Sequence, residues 1–244
     1  MKNVLILSSS PRRGGNSDTL CDEFMQGAIE SGHRVEKVFL RDKTIHPCTG
    51  CGVCSQYKKP CPQKDDAAEI IGKMLAADVI VMATPVYFYA MSAQMKTLID
   101  RCCGPYTEMK NKEFYFIATA AEEDNGIMDR IVANFMGFLD CLENPTVKGT
   151  LFCGGVWGRG RREPDFEASI RAGKTSIILL IATNTSGYNP YRRPTSMGSE
   201  YGSPFLRDLF LVLQLYPFRE DRESRRVGRR TWQRKREGCP LLPK

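Results

Sequence analysis

The sequence predicts an α/β protein, a three-layer sandwich built on a five-stranded parallel sheet with helices on both faces. Three observations carry this. Strand and helix patterns alternate five times over the first 176 residues, the strand signals are short apolar runs, and a Ser/Gly-rich loop joins the first strand to the first helix. The first strand is the apolar run at residues 4–8. Behind it Leu20, Phe24 and Ala28 recur at helical spacing, and Gly32 ends that helix. Residues 35–40 make the second strand, and a loop rich in cysteine and lysine follows. Residues 66–77 read as a helix and 79–83 as the third strand. Ser92 is placed to cap a helix running to about Arg101. Residues 114–119 are the fourth strand, 126–142 the fourth helix, 151–155 the fifth strand and 166–176 the last helix. In such sheets ligands sit at the carboxyl ends of strands where the order of winding reverses. The loops after strands one, three and four are therefore the ones that matter.

The chain has 244 residues, 42% of them hydrophobic and 26% charged, enough for one core of ordinary size and a surplus. Its formal charge of +7 falls wholly in residues 177–244, which carry eleven Arg and two Lys against six acidic residues. An argument from charge to nucleic acid applies to that stretch alone. There the alternation stops: 184–204 is rich in Asn, Gly, Ser, Pro and Tyr, 205–216 holds a short apolar patch, and 219–236 is Arg-rich. A basic arm for nucleic acid or an acidic partner is one reading. A disordered appendage or an out-of-frame extension is the other, and the abrupt change of composition favours it. The apolar run at residues 4–7 is too short for a signal-peptide core, and 177–182 is too short to span a membrane. A cytoplasmic location without membrane contact is expected.

The loop after the first strand reads Ser8-Ser9-Ser10-Pro11-Arg12-Arg13-Gly14-Gly15-Asn16-Ser17-Asp18-Thr19-Leu20. A loop that leads into a helix N-terminus points backbone amides, and the positive end of the helix dipole, at whatever lies above it. Ser10, Ser17 and Thr19 offer hydroxyls, Asn16 an amide and Arg12 a charged donor, a cup suited to a phosphate dianion. No Gly-Lys-Ser/Thr ends the loop and no Gly-x-Gly-x-x-Gly lies in it, so neither a Walker A loop nor a dinucleotide fingerprint is present. An ordinary capped turn is the bland alternative. The loop after the third strand, Thr84-Pro85-Val86-Tyr87-Phe88-Tyr89-Ala90-Met91-Ser92, sets three aromatics and a proline at a strand's carboxyl end. Such a surface suits a flat ring; a loop buried under a neighbour or in a dimer contact is compatible with it. Asp100 and Arg101 are assigned no chemistry.

Four of the ten cysteines lie within residues 48–61. Cys48, Cys51, Cys54 and Cys61 are spaced C-x2-C-x2-C-x6-C, followed by Pro62. Two-residue gaps let thiolates converge on one centre, Gly50 and Gly52 permit tight turns, and Lys58 and Lys59 would offset the charge of a thiolate-ligated cluster. A [4Fe–4S] cluster, a four-cysteine zinc site, a catalytic or regulatory thiol pair and a loop with no metal all remain open. The other six cysteines read as structural or incidental. His33 and His46 are the only histidines and form no nucleophile–base arrangement. No catalytic acid or base is named.

Taken in order, the phosphate loop, the cysteine loop and Pro-Val-Tyr-Phe followed by Ser-Ala-Gln-Met-Lys-x-Leu-Ile-Asp-Arg resemble the NAD(P)H-dependent FMN reductase family, in its iron–sulfur flavoprotein branch, over residues 1 to about 176. The resemblance implies a flavodoxin-like fold and an FMN-dependent electron-transfer oxidoreductase with NAD(P)H or ferredoxin as donor and a small acceptor. It implies that Ser10, Arg12, Asn16, Ser17 and Thr19 hold the FMN phosphate. Ser9, standing where the family usually has Gly, adjoins it. Pro85, Val86, Tyr87 and Phe88 would line the ribityl chain and ring, and Thr119 and Ala120 the ring's other edge. Cys48, Cys51, Cys54 and Cys61 would ligate the cluster, and a homodimer or larger homo-oligomer is implied. Two alternatives stand beside it: a plain NAD(P)H-dependent FMN or quinone reductase without a cluster, and a non-enzymatic flavodoxin-like module whose basic tail meets nucleic acid.

Overall fold

The structure, a computed structural model, describes residues 1–122 and 125–156. The predicted helix at 166–176 and the whole stretch 177–244 lie outside the described residues. Five strands run parallel: β1 (Asn3–Ser8), β2 (Arg34–Phe39), β3 (Val79–Tyr87), β5 (Glu113–Thr119) and β6 (Thr146–Cys153), in the order β2-β1-β3-β5-β6. The winding reverses between β1 and β3, as in the doubly wound order 2-1-3-4-5. The expected parallel sheet is present.

Alternate residues of each strand feed opposite faces. Val4, Ile6, Val79, Val81 and Ile117 pack on α1 (Asn16–Glu30) through its Leu20, Phe24 and Ala28. Leu5, Leu7, Ile80, Met82, Phe114 and Phe116 pack on α3 (Ala67–Ala76), α4 (Ala93–Arg101) and α5 (Asn125–Leu139). Phe116 stacks on Phe135 with ring centroids 4.5 Å apart, and Phe24 meets Tyr115 edge-on at 5.2 Å. Among the described residues no helix is long and apolar enough to cross a membrane.

Four elements differ from the sequence reading. α1 begins at Asn16, ahead of the apolar period that starts at Leu20; its polar first turn gives no such period. β3 runs on to Tyr87: its pairing with β1 ends at Ser8–Ala83, while Thr84 and Pro85 still pair with Ala118 and Thr119. Beyond Ala83 the strand thus has a parallel neighbour on one side, a setting that tolerates proline. A two-residue strand, β4 (Ala90–Met91), folds back antiparallel on Val86 and Tyr87. β6 starts at Thr146, its first half being a polar edge without the apolar run that marks residues 151–153. Ser92 does stand at the N-cap of α4, with extended backbone, but makes no side-chain cap bond.

Candidate functional site

The reversal between β1 and β3 has a polar floor. The hydroxyl of Ser9 donates to the Ala83 carbonyl at 2.8 Å, Ser92 Oγ lies 2.9 Å from Ser9 Oγ, and the Ser92 amide donates to Thr84 Oγ1 at 2.8 Å. All three side chains are buried. This network ties β1, β3 and the start of α4 together, and it is why Ser92 does not cap the helix. The Ser9 hydroxyl is committed to this floor.

Above the floor the loop folds over the N-terminus of α1. Gly15 is the N-cap residue and, having no side chain, brings no cap of its own to the start of the helix, where the first-turn amides and the positive end of the helix dipole lie. Ser10 Oγ donates to the Arg12 carbonyl at 2.8 Å and accepts the Arg12 amide at 3.1 Å. A Cβ on Gly15 would come within 2.9 Å of Ser10 Oγ and 3.1 Å of the Arg12 carbonyl, so the tight fold of the loop requires glycine there. Ser10 and Ser17 are buried against the helix start, Arg12 is exposed, and Thr19 Oγ1 bonds the Gly15 carbonyl at 3.2 Å. Asn16 Nδ2 reaches the Val156 carbonyl at 3.2 Å, tying the loop to the chain after β6. The expected phosphate residues thus gather round one helix N-terminus, with the hydroxyls of Ser9, Ser10 and Thr19 turned to backbone carbonyls.

Two residues here had no place in the sequence reading. Asp18, from the first turn of α1, accepts the Gly14 amide at 2.9 Å and Ser8 Oγ at 3.1 Å, and Lys37 Nζ of β2 lies 2.5 Å from its carboxylate. Lys37 also pairs with Asp22 at 2.7 Å. Burial alone would raise the Asp18 acid; Lys37 and the two donors outweigh it and hold the carboxyl below its ordinary value. The carboxylate braces the loop and Lys37 offsets its charge. The N-terminus of a 15-residue helix with glycine as its N-cap, an exposed Arg12 and a neutralised carboxylate suit an anion such as a phosphate monoester.

At the carboxyl end of β3, Pro85 and Val86 are half-buried, while Tyr87 and Phe88 are exposed, Phe88 fully so. Phe88 and Tyr89 form the two-residue turn between β3 and β4 with φ of +49° and +60°, the type I′ geometry normally given to Asn-Gly. Tyr89 is braced: its hydroxyl lies 3.2 Å from the Glu122 carboxylate and the Arg130 guanidinium stacks over its ring at 4.9 Å. Thr119 and Ala120, at the end of β5, are buried, and the Ala120 amide bonds the Cys153 carbonyl at 2.9 Å.

The cysteine loop holds a single helical turn, α2 (Val53–Gln56), and turns at Gly50 and Gly52 with φ of +66° and +73°. Cys48 and Cys51 are exposed; Cys54 and Cys61 are half-buried. Partial burial and the nearby Cys103, Cys61 and Cys48 thiols push the Cys54 thiol up, so Cys103 is a fifth thiol beside this loop. Hydrogen bonds from the Val53 amide and the Thr49 side chain pull the Cys51 thiol down. Among the described residues no three His, Cys, Asp or Glu side chains converge as a single metal ion requires. Zinc gathers four thiolates at about 2.3 Å from one centre. A [4Fe–4S] cluster spreads them over a larger body; the four thiols on one loop match either in number and kind.

The loop is seated on the end of α4. Arg101, given no role from sequence, is buried, and its guanidinium reaches Asp65, the His46 carbonyl and Cys61 Sγ. Its position shared the spacing of Met95 and Leu98, so a charge on the apolar stripe of α4 was the available signal.

Sheet order and the loops at its reversal define a flavodoxin-like α/β protein. The chain belongs to the NADPH-dependent FMN reductase family, whose family model matches residues 2–152. An iron-sulfur flavoprotein of Methanocaldococcus jannaschii is 39% identical over 126 residues, covering 50% of this chain and 64% of that protein. An iron-sulfur flavoprotein of Archaeoglobus fulgidus is 32% identical over 166 residues, 64% of this chain and 81% of that one. The chain thus spans just under two thirds of the Methanocaldococcus relative. The NAD(P)H:quinone oxidoreductase from Methanothermobacter marburgensis superposes with a TM-score of 0.60 at 17% identity, over 73% of this chain and 96% of that one. At that identity the likeness speaks for the fold.

Proposed function

We propose that this chain is an FMN-dependent oxidoreductase that passes electrons from NAD(P)H or a ferredoxin-type donor to a small acceptor, with an iron–sulfur cluster on Cys48, Cys51, Cys54 and Cys61. The observation that carries FMN is the N-terminus of α1, with glycine as its N-cap, at the reversal between β1 and β3, flanked by exposed aromatics at the end of β3. An anion site and a ring surface there share one edge of the sheet.

In this reading Arg12 and the amides at Asn16 and Ser17 bind the phosphate, with Ser10 and Thr19 shaping the loop and Ser9 its floor. Pro85, Val86, Tyr87 and Phe88 orient the ring, and Thr119 and Ala120 close its other edge. FMN supplies hydride and one-electron transfer when bound. Membership of the FMN reductase family supports FMN and a nicotinamide donor, and the names of the archaeal relatives support the cluster. A cluster of four cysteines within residues 48–61 fits a metal or redox site in a reducing, cytoplasmic compartment. The fully exposed ring of Phe88 supports a homodimer or larger homo-oligomer, which analytical ultracentrifugation tests.

Anaerobic purification followed by counting FMN, iron and acid-labile sulfide tests the proposal. About one FMN and about four iron and four sulfide per chain are expected. Flavin without iron would make the chain a plain NAD(P)H-dependent FMN or quinone reductase, a reading favoured by the exposure of Cys48 and Cys51. No flavin after reconstitution overturns both.

A further inference from the structure

Both ends of the cysteine loop meet at one guanidinium. The Arg101 side chain is 2% exposed and that of its partner Asp65 0%. Arg101 Nη2 donates to Asp65 Oδ1 at 3.0 Å and to Cys61 Sγ at 3.4 Å. Nη1 donates to Asp65 Oδ2 and to the His46 carbonyl at 2.9 Å. Asp65 also accepts the amides of His46 at 2.9 Å and Ala67 at 3.1 Å. His46 precedes the first cysteine of the loop, and Asp65 follows the last. Three residues along the chain from Arg101, a Cβ on Gly104 would stand 2.8 Å from Cys54 Cβ, so the same end of α4 presses on a second cysteine.

A structural clasp needs only the carboxylate and the carbonyl. The third contact, an N–H aimed at sulfur, is what a clasp alone does not require. Arginine's planar fork reaches all three acceptors at once, which the point charge of lysine does not. We propose that Arg101 is a positioning residue of the four-cysteine site: fixed by Asp65, it closes the neck of the loop and gives Cys61 a charge-assisted N–H···S hydrogen bond that persists when the loop carries an iron–sulfur cluster. This rests on the cluster reading above. Hydrogen bonds to cluster sulfurs stabilise the more negative, reduced state and so raise the reduction potential.

The test compares the anaerobically purified holoprotein with Arg101→Lys, which keeps a charge for Asp65. Readouts are the cluster potential from an EPR-monitored titration, the rate of iron loss to a chelator, and FMN content as the measure of folding. The substitution should shift the potential to a more negative value and speed iron loss while FMN content holds. Unchanged potential and rate at full FMN content overturn the assignment. Absence of iron from the unaltered protein overturns the cluster reading, and the assignment with it. Should the variant fail to fold, unaltered holoprotein labelled with nitrogen-15 in its arginine guanidinium groups gives the answer by pulsed EPR. A nitrogen coupling to the reduced cluster is expected, and its absence overturns the assignment.

Discussion

Asp18 places a carboxylate beneath a loop proposed to hold a phosphate, and Lys37, 2.5 Å away, supplies its counter-charge. Replacing Lys37 by Met leaves a mostly buried carboxylate without its counter-charge. We expect a loss of about 1–3 kcal/mol in urea unfolding, with FMN bound several-fold more weakly because two anions then face each other. FMN titration checks this, and an unaltered affinity would sink the shielding role of Lys37. The same carboxyl, together with Asp65, sets an acid limit. Burial would raise both acids, but Lys37, the Gly14 amide and the Ser8 hydroxyl on Asp18, and Arg101 with the His46 and Ala67 amides on Asp65, hold both folded-state values below the ordinary 3.8. The unfolded chain therefore takes up protons first as pH falls. The stabilisation is complete above that ordinary value and drains away below it. Unfolding free energy should hold level from neutral pH to about pH 5 and fall steeply toward about pH 3; a flat profile across that span would contradict it. That the polar groups of residues 8–19 gather at the start of α1 was legible in the sequence because they are neighbours in it. Asp18 with Lys37, and Arg101 with Asp65 and Cys61, were not, because each pairing joins elements whose alignment only the folded sheet sets.

The β3–β4 hairpin is the element most at odds with its own sequence. A type I′ turn wants Asn-Gly, yet Phe88 and Tyr89 take both left-handed positions. Non-glycine residues there cost about 1 kcal/mol or more each. Tyr89 has compensation in Glu122 and Arg130. Phe88, fully exposed, makes no such contact within the described residues. Strain kept at an exposed aromatic beside the proposed ring site points to use of that ring. Phe88→Gly should raise stability by about 1 kcal/mol in urea unfolding and weaken FMN binding. Higher stability with unchanged FMN affinity would remove Phe88 from the flavin site. The hairpin could not be read from sequence because its turn carries none of the usual turn residues and Pro85 looked like the end of a strand. The buried strands and the helices with a clean apolar stripe, such as Ile70, Ile71 and Met74 of α3, were legible from their periods. The polar first half of β6 and the polar first turn of α1 were not, since neither shows a period.

Among the described residues, the chain up to residue 156 already holds five parallel strands, two core clusters, the proposed FMN contacts and the four-cysteine loop. The family match ends at residue 152. The formal charge of +7, by contrast, belongs to residues 177–244. If the electron-transfer site needs nothing from that basic stretch, a chain cut after residue 176 should carry FMN at the full-length stoichiometry and unfold at the same urea midpoint. It should also lose affinity for a cation-exchange matrix or duplex DNA, because what remains has as many acidic as basic residues. Loss of flavin on truncation would make the basic stretch part of the flavin domain. Retained flavin together with lost reduction of an acidic protein partner such as ferredoxin would instead make the stretch a docking arm, because a positive segment steers association through long-range attraction that salt screens. Measuring both FMN content and the salt dependence of ferredoxin-linked turnover on the two chains separates these outcomes, since a docking arm changes the rate at low salt and leaves FMN content untouched.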